Sequence, residues 1–197
     1  MPISAQKAPR FYKRLKARRA YLGSKHLTLE EWRRLLQQAR SDPRDLALVL
    51  TTYEAGLRAS EPGKLTLWDA RQLHKGRLYV YRGKGSRDGW IDLSTTTQVT
   101  LAQWINLCYP NKAQRQRSWP LFPGKLYAGH RKGISGSGVF RLVHRLAEAA
   151  DLPTQLRHPH AIKHTRVMFL LQAAENDPTL GADRIIRLLA EHVGHRS

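Results

Sequence analysis

The chain has 197 residues, enough for one domain with a buried core. Hydrophobic residues make up 41% and charged residues 25%, an ordinary globular mix, but the formal net charge is +19. That excess of cations points to a polyanionic partner, nucleic acid before membrane. A single cysteine, Cys108, excludes an internal disulfide framework and a cysteine-based zinc site. No apolar run approaches the ~18 residues of a membrane span, and no secretory leader is evident. The expected setting is therefore cytoplasmic.

Residues 1–25 hold eight basic side chains and no acid, with Arg10, Lys13, Arg14, Arg18 and Arg19 at their centre. Such an arm suits phosphate contact, or equally a solvated leader. A capping box, Thr28 to Glu31, predicts a helix from about Leu29 to Arg40, with Trp32, Leu35, Leu36 and Ala39 at helical spacing. Asp42-Pro43 restarts a second helix, with Leu46, Val49, Leu50 and Tyr53 as its apolar stripe and Gly56 as its cap. Arg77–Arg82 and Trp90–Leu93 read as two strands around a basic, glycine-rich tip, Gly83 to Gly89. Thr96 to Cys108 is helical, and Pro110 ends it. Residues 109–137 read as loop, with Trp119 to Phe122 as a buried anchor. Helices follow over Val139–Ala150, His160–Glu175 and Asp183–Val193. The expected fold is mainly α with a small antiparallel β-sheet or hairpin, in α+β style.

No acidic residue lies between Asp92 and Glu148, whereas Arg87, Lys112, Arg115, Arg117, Arg131, Lys132, Arg141 and Arg145 fall within or beside that stretch. Tyr109, Trp119, Phe122 and Tyr127 are interleaved with these cations. Basic side chains mixed with aromatics suit a nucleic-acid face, and Arg87, Arg131 and Lys132 are taken as DNA contacts together with the arm.

Four boxes carry chemistry-bearing residues: Gly56-Leu57-Arg58-Ala59-Ser60-Glu61, Gly83-Lys84-Gly85-Ser86-Arg87, His158-Pro159-His160-Ala161-Ile162-Lys163-His164-Thr165, and Leu188 to His195. Each alone has a bland reading: a surface arginine, a solvated lysine, a pair of helix-surface histidines. His160 and His164 at i,i+4 could face a metal, but no third ligand is evident, so no metal site is expected.

Together and in this order, the boxes resemble the tyrosine recombinase (phage integrase) family over residues 27–197, and in size the chain is similar to the short fimbrial-type recombinases. The resemblance implies DNA strand breaking and rejoining through a phosphotyrosyl intermediate, with double-stranded DNA as partner and no cofactor. It implies Arg58 as a phosphate-binding guanidinium, Lys84 as general acid, His160 as a proton-handling or phosphate-binding group, and His195 as a group that steadies the transition state. Lys163 stands where the family has its second arginine, and keeps the charge but not the bidentate fork. The family's tyrosine nucleophile falls beyond His195. All seven tyrosines here lie upstream of it, so the expectation is a form lacking the nucleophile. With the tail present, self-association on DNA is expected. The expected domains are a basic arm, 1–26, and a catalytic domain, 27–197, in a prokaryotic, nucleoid-associated protein. The alternative is a non-catalytic DNA-binding regulator on the same fold. A basic RNA-binding protein would explain the charge but not the ordered boxes.

Overall fold

In a computed structural model, residues 25–82, 88–127 and 130–176 are described. The arm with Arg10, Lys13, Arg14, Arg18 and Arg19, the tip residues Lys84 and Arg87, the last predicted helix and His195 lie outside these residues.

Helix α1 (Leu29–Ala39) opens on the predicted capping box. The Thr28 N–H donates to Glu31 Oε2 at 2.8 Å, and the Glu31 N–H donates to Thr28 Oγ1 at 3.2 Å. Helix α2 (Pro43–Glu54) starts with Pro43 in its first turn and Asp42 as N-cap. The single stripe expected on α2 is corrected. Ala47, Leu48, Val49, Leu50, Thr51 and Thr52 are all buried, while Leu46 and Tyr53 are only half-buried. The helix is wrapped by neighbours: α1 on one side, α3 (Thr95–Cys108) on another, and α5 (Pro159–Asn176) on a third. A helix buried on most sides needs no single apolar stripe.

Strands β1 (Arg77–Val80) and β2 (Gly89–Asp92) pair antiparallel, with Leu78 opposite Ile91 and Tyr79 opposite Trp90. Leu78, Val80 and Ile91 point into the core, and Tyr79, Tyr81 and Trp90 form an aromatic outer face. The first predicted strand runs two residues past the observed one, and the second is observed one residue earlier than predicted.

The region expected as loop holds a second hairpin, β3 (Pro123–Tyr127) and β4 (His130–Gly133), so that expectation is corrected. Its sequence lacks apolar alternation, and non-local packing holds it. A Cβ on Gly63 would collide with the Ile134 carbonyl, and one on Gly133 with the Gly63 carbonyl. The two backbones touch there. The anchor before this hairpin is as expected: Leu121 and Phe122 are fully buried, and the Leu121 N–H donates to the Leu65 carbonyl at 2.7 Å. Helix α4 (Gly136–Ala149) begins three residues earlier than predicted, on a Ser135 N-cap that accepts from the Gly138 N–H. The architecture is mainly helical, with two two-stranded antiparallel sheets among the described residues. No helix of the described residues is long and apolar enough to cross a membrane.

Candidate functional site

The site begins where α2 ends. Gly56 takes a left-handed φ of 57°, which costs glycine little. The chain reverses there, with the Leu57 N–H donating to the Thr52 carbonyl at 3.0 Å. Leu57 is buried, and Arg58 emerges next to it with its side chain 42% exposed. A tight turn holds Arg58. Its N–H donates to Glu61 Oε2 at 2.7 Å, and the Glu61 N–H donates to the Arg58 carbonyl at 2.9 Å. The guanidinium reaches Glu61 Oε1 only at 3.5 Å, a long contact that leaves most of its donors for another acceptor.

The second component is the start of α5. His158 acts as its cap: the Ala161 N–H donates to His158 Nδ1 at 3.2 Å. His160 lies exposed on the first turn, and Lys163, one turn on, is buried. The His160 and His164 rings meet edge to face, centroids 5.1 Å apart. Thr165 fixes the other side of the helix. Its hydroxyl donates to the Ala161 carbonyl and accepts the Leu27 N–H, both at 2.8 Å.

Electrostatics join these two pieces. Partial burial holds the His160 imidazole below its ordinary value, and the charges of Lys163, His158 and Arg58 push it the same way. Arg58 therefore lies within electrostatic reach of His160, from 102 positions away in sequence. An imidazole kept neutral among cations can accept a proton or a hydrogen bond. Arg166 turns elsewhere. Its guanidinium stacks 5.2 Å from the Tyr53 ring, so it does not replace Lys163.

This field gives a prediction. In the free protein His160 titrates below ~6.5, and a bound phosphodiester raises that value by favouring the imidazolium. Because the unfolded chain binds the proton more readily, His160 costs stability as pH falls from ~6.5 through its folded value. Proton–carbon NMR of the His160 ring through a pH series, with and without duplex DNA, checks this. A value at or above ~6.5 in the free protein would mean that the cations do not converge.

Among the predicted DNA contacts, Lys132 is exposed and lines a groove of about 620 Å³ with Arg44, Arg141 and Arg145. The backbone of Arg131 belongs to β4, and its side chain lies outside the described residues. The N-terminus of α4 beside this groove packs close to Ser60, two residues from Arg58. Buried Asp45 pairs with both Arg44 and Arg145, which holds them in place.

Sequence reasoning missed two features. Arg71 stacks between Trp68 and Trp90, 4.5 Å from each ring centroid, and Arg117 covers Trp68 at 4.4 Å. The second is Arg82, at the end of β1, with its side chain only 2% exposed. The period-two pattern of Leu78 and Val80 was the available signal, because it puts position 82 on the inner face.

The family model described as Phage integrase family matches residues 25–182. A tyrosine recombinase XerD of Brucella abortus is 32% identical over 149 residues, covering 76% of this chain and 43% of the relative. A tyrosine recombinase XerC of Halalkalibacterium halodurans is 28% identical over 173 residues, covering 85% and 53%. The chain thus spans about half the length of the curated relatives it matches. Among solved structures, XerA recombinase superposes with a TM-score of 0.68 at 24% identity, over 87% of this chain and 56% of that one. XerH site-specific recombinase, bound to its difH substrate in a pre-cleavage complex, superposes with a TM-score of 0.63 at 22% identity, over 88% and 47%. Both likenesses concern the fold.

Proposed function

The chain belongs to the phage integrase family, and from that premise we propose that it binds duplex DNA at a recombination site, with Arg58, His160 and Lys163 around one phosphodiester. What supports this reading is the placement of half-exposed Arg58 in the turn after α2 and of His160 and Lys163 one turn apart at the start of α5, with the Arg58 charge felt at His160. Cations beside one imidazole suit a doubly charged, five-coordinate phosphorus, and Glu61 reaches the Arg58 guanidinium only at 3.5 Å. Arg58 can hold one nonbridging oxygen pair with its planar fork, and Lys163 adds a point charge. His160, kept neutral, can receive a hydrogen bond or a proton.

In the reaction that family membership suggests, a tyrosine oxygen attacks phosphorus and the bond to the 5′-oxygen breaks. The leaving oxygen takes a proton, for which Lys84 is the proposed donor, and His195 is proposed to steady the same phosphate. A 5′-hydroxyl attacking the phosphotyrosine reverses the step, so energy is conserved in the covalent bond. The proposed second surface is the groove of Arg44, Lys132, Arg141 and Arg145, with Arg10, Lys13, Arg14, Arg18, Arg19, Arg87 and Arg131 as further phosphate contacts.

Binding to duplex DNA should be strongly salt-dependent. If roughly six to ten phosphates are neutralised, affinity falls by about 10³–10⁵-fold between 50 and 200 mM salt, with a slope near −0.9 per phosphate. Fluorescence anisotropy with a labelled duplex checks this. Deleting residues 1–25 should flatten the slope. An affinity indifferent to salt, or a preference for single-stranded RNA, sinks the reading.

One observation favours a second reading, a DNA-binding regulator without strand cleavage: Lys163 where the family has arginine. The two readings share the DNA and differ in covalent adduct formation.

A further inference from the structure

Arg82 is a buried cation that the site chemistry above does not use. Its Nη2 donates to the Ala55 carbonyl at 2.6 Å, and its Nη1 donates to the Gly56 carbonyl at 3.2 Å. These are the carbonyls at the C-terminal end of α2, where a cation is favoured. The same Nη1 lies 4.0 Å from Glu61 Oε2, and Glu61 is itself only 4% exposed. The Arg82 N–H donates to Asp88 Oδ1 at 2.5 Å, which ties the two sides of the β1–β2 connection. Glu61 therefore sits between two arginines. It takes the backbone N–H of Arg58 at 2.7 Å, and the Arg58 guanidinium only at 3.5 Å.

We propose that Arg82 is a positioning residue that shares the charge of Glu61, so that the Arg58 guanidinium is held loosely and stays available to an oxyanion. The phosphate part of this statement rests on the reading of Arg58 given above. The reasoning concerns charge balance in a buried place. A carboxylate taken out of water needs compensation. With Arg82 present, Glu61 has a second cation, and its hold on the Arg58 side chain stays long. Without Arg82, Arg58 is the cation left beside Glu61. The guanidinium then closes into a short, charge-assisted pair and turns its donors inward. Burial lowers the Arg82 value and the Glu61 charge raises it again, as expected for a cation kept ionised by that carboxylate. Arg58 is near enough for its charge to lower it as well, so the three groups form one coupled set.

A helix-capping role alone would explain the two carbonyl bonds, and the test separates the two roles. The readouts are water exchange of the Arg58 Nε–H by NMR in the free protein, melting temperature, and duplex DNA affinity. Arg82→Met is expected to slow Arg58 exchange and weaken DNA binding, each by about tenfold. Adding Glu61→Gln to Arg82→Met should return both to within about twofold of the parent, because the uncompensated carboxylate is gone. Arg82→Lys keeps the charge and gives up the fork, so it should lower the melting temperature while leaving Arg58 exchange parent-like. If Glu61→Gln restores nothing, or if Arg82→Lys alters Arg58 as much as Met does, Arg82 only caps the helix and the proposal is overturned. Should Arg82→Met not fold, Arg82→Lys and Glu61→Gln decide alone. Glu61→Gln is then expected to speed Arg58 exchange, and unchanged exchange overturns the proposal. Arg58→Ala binding DNA like the parent would instead remove the phosphate reading, while the exchange data still decide on Arg82.

Discussion

Strand cleavage is expected to fall by about 10²–10³-fold when Arg58 is replaced by alanine, the loss that follows removal of one donor to a developing oxyanion. The measurement is single-turnover formation of a covalent adduct on a nicked suicide duplex, by a form that carries a tyrosine beyond His195. The size of the effect follows from the site. The Arg58 guanidinium is a planar fork of donors whose charge is felt at His160, and the Lys163 ammonium cannot copy its two parallel bonds. Position 163 gives the complementary result. Lys163→Arg should raise the cleavage rate and Lys163→Ala should lower it, because both change the charge geometry at the same phosphate. Equal rates for Lys163→Ala and the parent would remove Lys163 from the site. Absence of adduct in every variant, with DNA binding intact, would favour the regulator.

The second large effect is on stability. Gly63→Val should cost at least about 3 kcal/mol, since overpacking against backbone leaves nothing soft to yield. At that cost the melting temperature drops by about 6–12 °C for a domain of this size. The branched side chain would enter the space of the Ile134 carbonyl, and the reciprocal contact, Gly133 against the Gly63 carbonyl, blocks the opposite escape. The turn Pro62–Lys64 follows directly after Glu61, so the same substitution should also disturb Arg58. Gly89 is the control. A Cβ there meets nothing within 4 Å, and Gly89→Ala should leave the melting temperature almost unchanged. Differential scanning calorimetry of the two variants checks the pair, and an unshifted Gly63→Val would mean that β4 does not abut the Pro62–Lys64 turn.

What could be read beforehand divides by how local its cause is. The Thr28–Glu31 box and the Asp42-Pro43 start are complete within four residues, and both helices begin where that chemistry puts them. The Gly56 cap is equally local. The β3–β4 hairpin was not legible, because its place is set by backbone contact with Gly63, some 60 positions upstream, rather than by alternation in its own residues. Helix α2 misled for a related reason. Its burial comes from α1, α3 and α5, which no window on the helix itself contains. In the candidate site, Arg58, His160 and Lys163 were read from motif order, and the structure adds where each stands: Arg58 in the turn after α2, His160 and Lys163 on the first turns of α5. Arg82 was read only as a residue at the end of a strand. Glu61 and two helix-end carbonyls turn it into a buried one, and none of those three is near it in sequence.

The bond from the Leu27 amide to the Thr165 hydroxyl also has a meaning in time. Its partners are separated by 138 positions. At roughly 5–20 residues per second, the ribosome makes Thr165 about 7–28 s after Leu27. Contacts this distant in sequence are among the slowest to form. Throughout that interval the basic segment upstream of Leu27 has already been synthesised, while the helix that anchors its end does not exist. The contact that ties Leu27 to the last described helix can therefore close only after the 138 positions between its partners have been made.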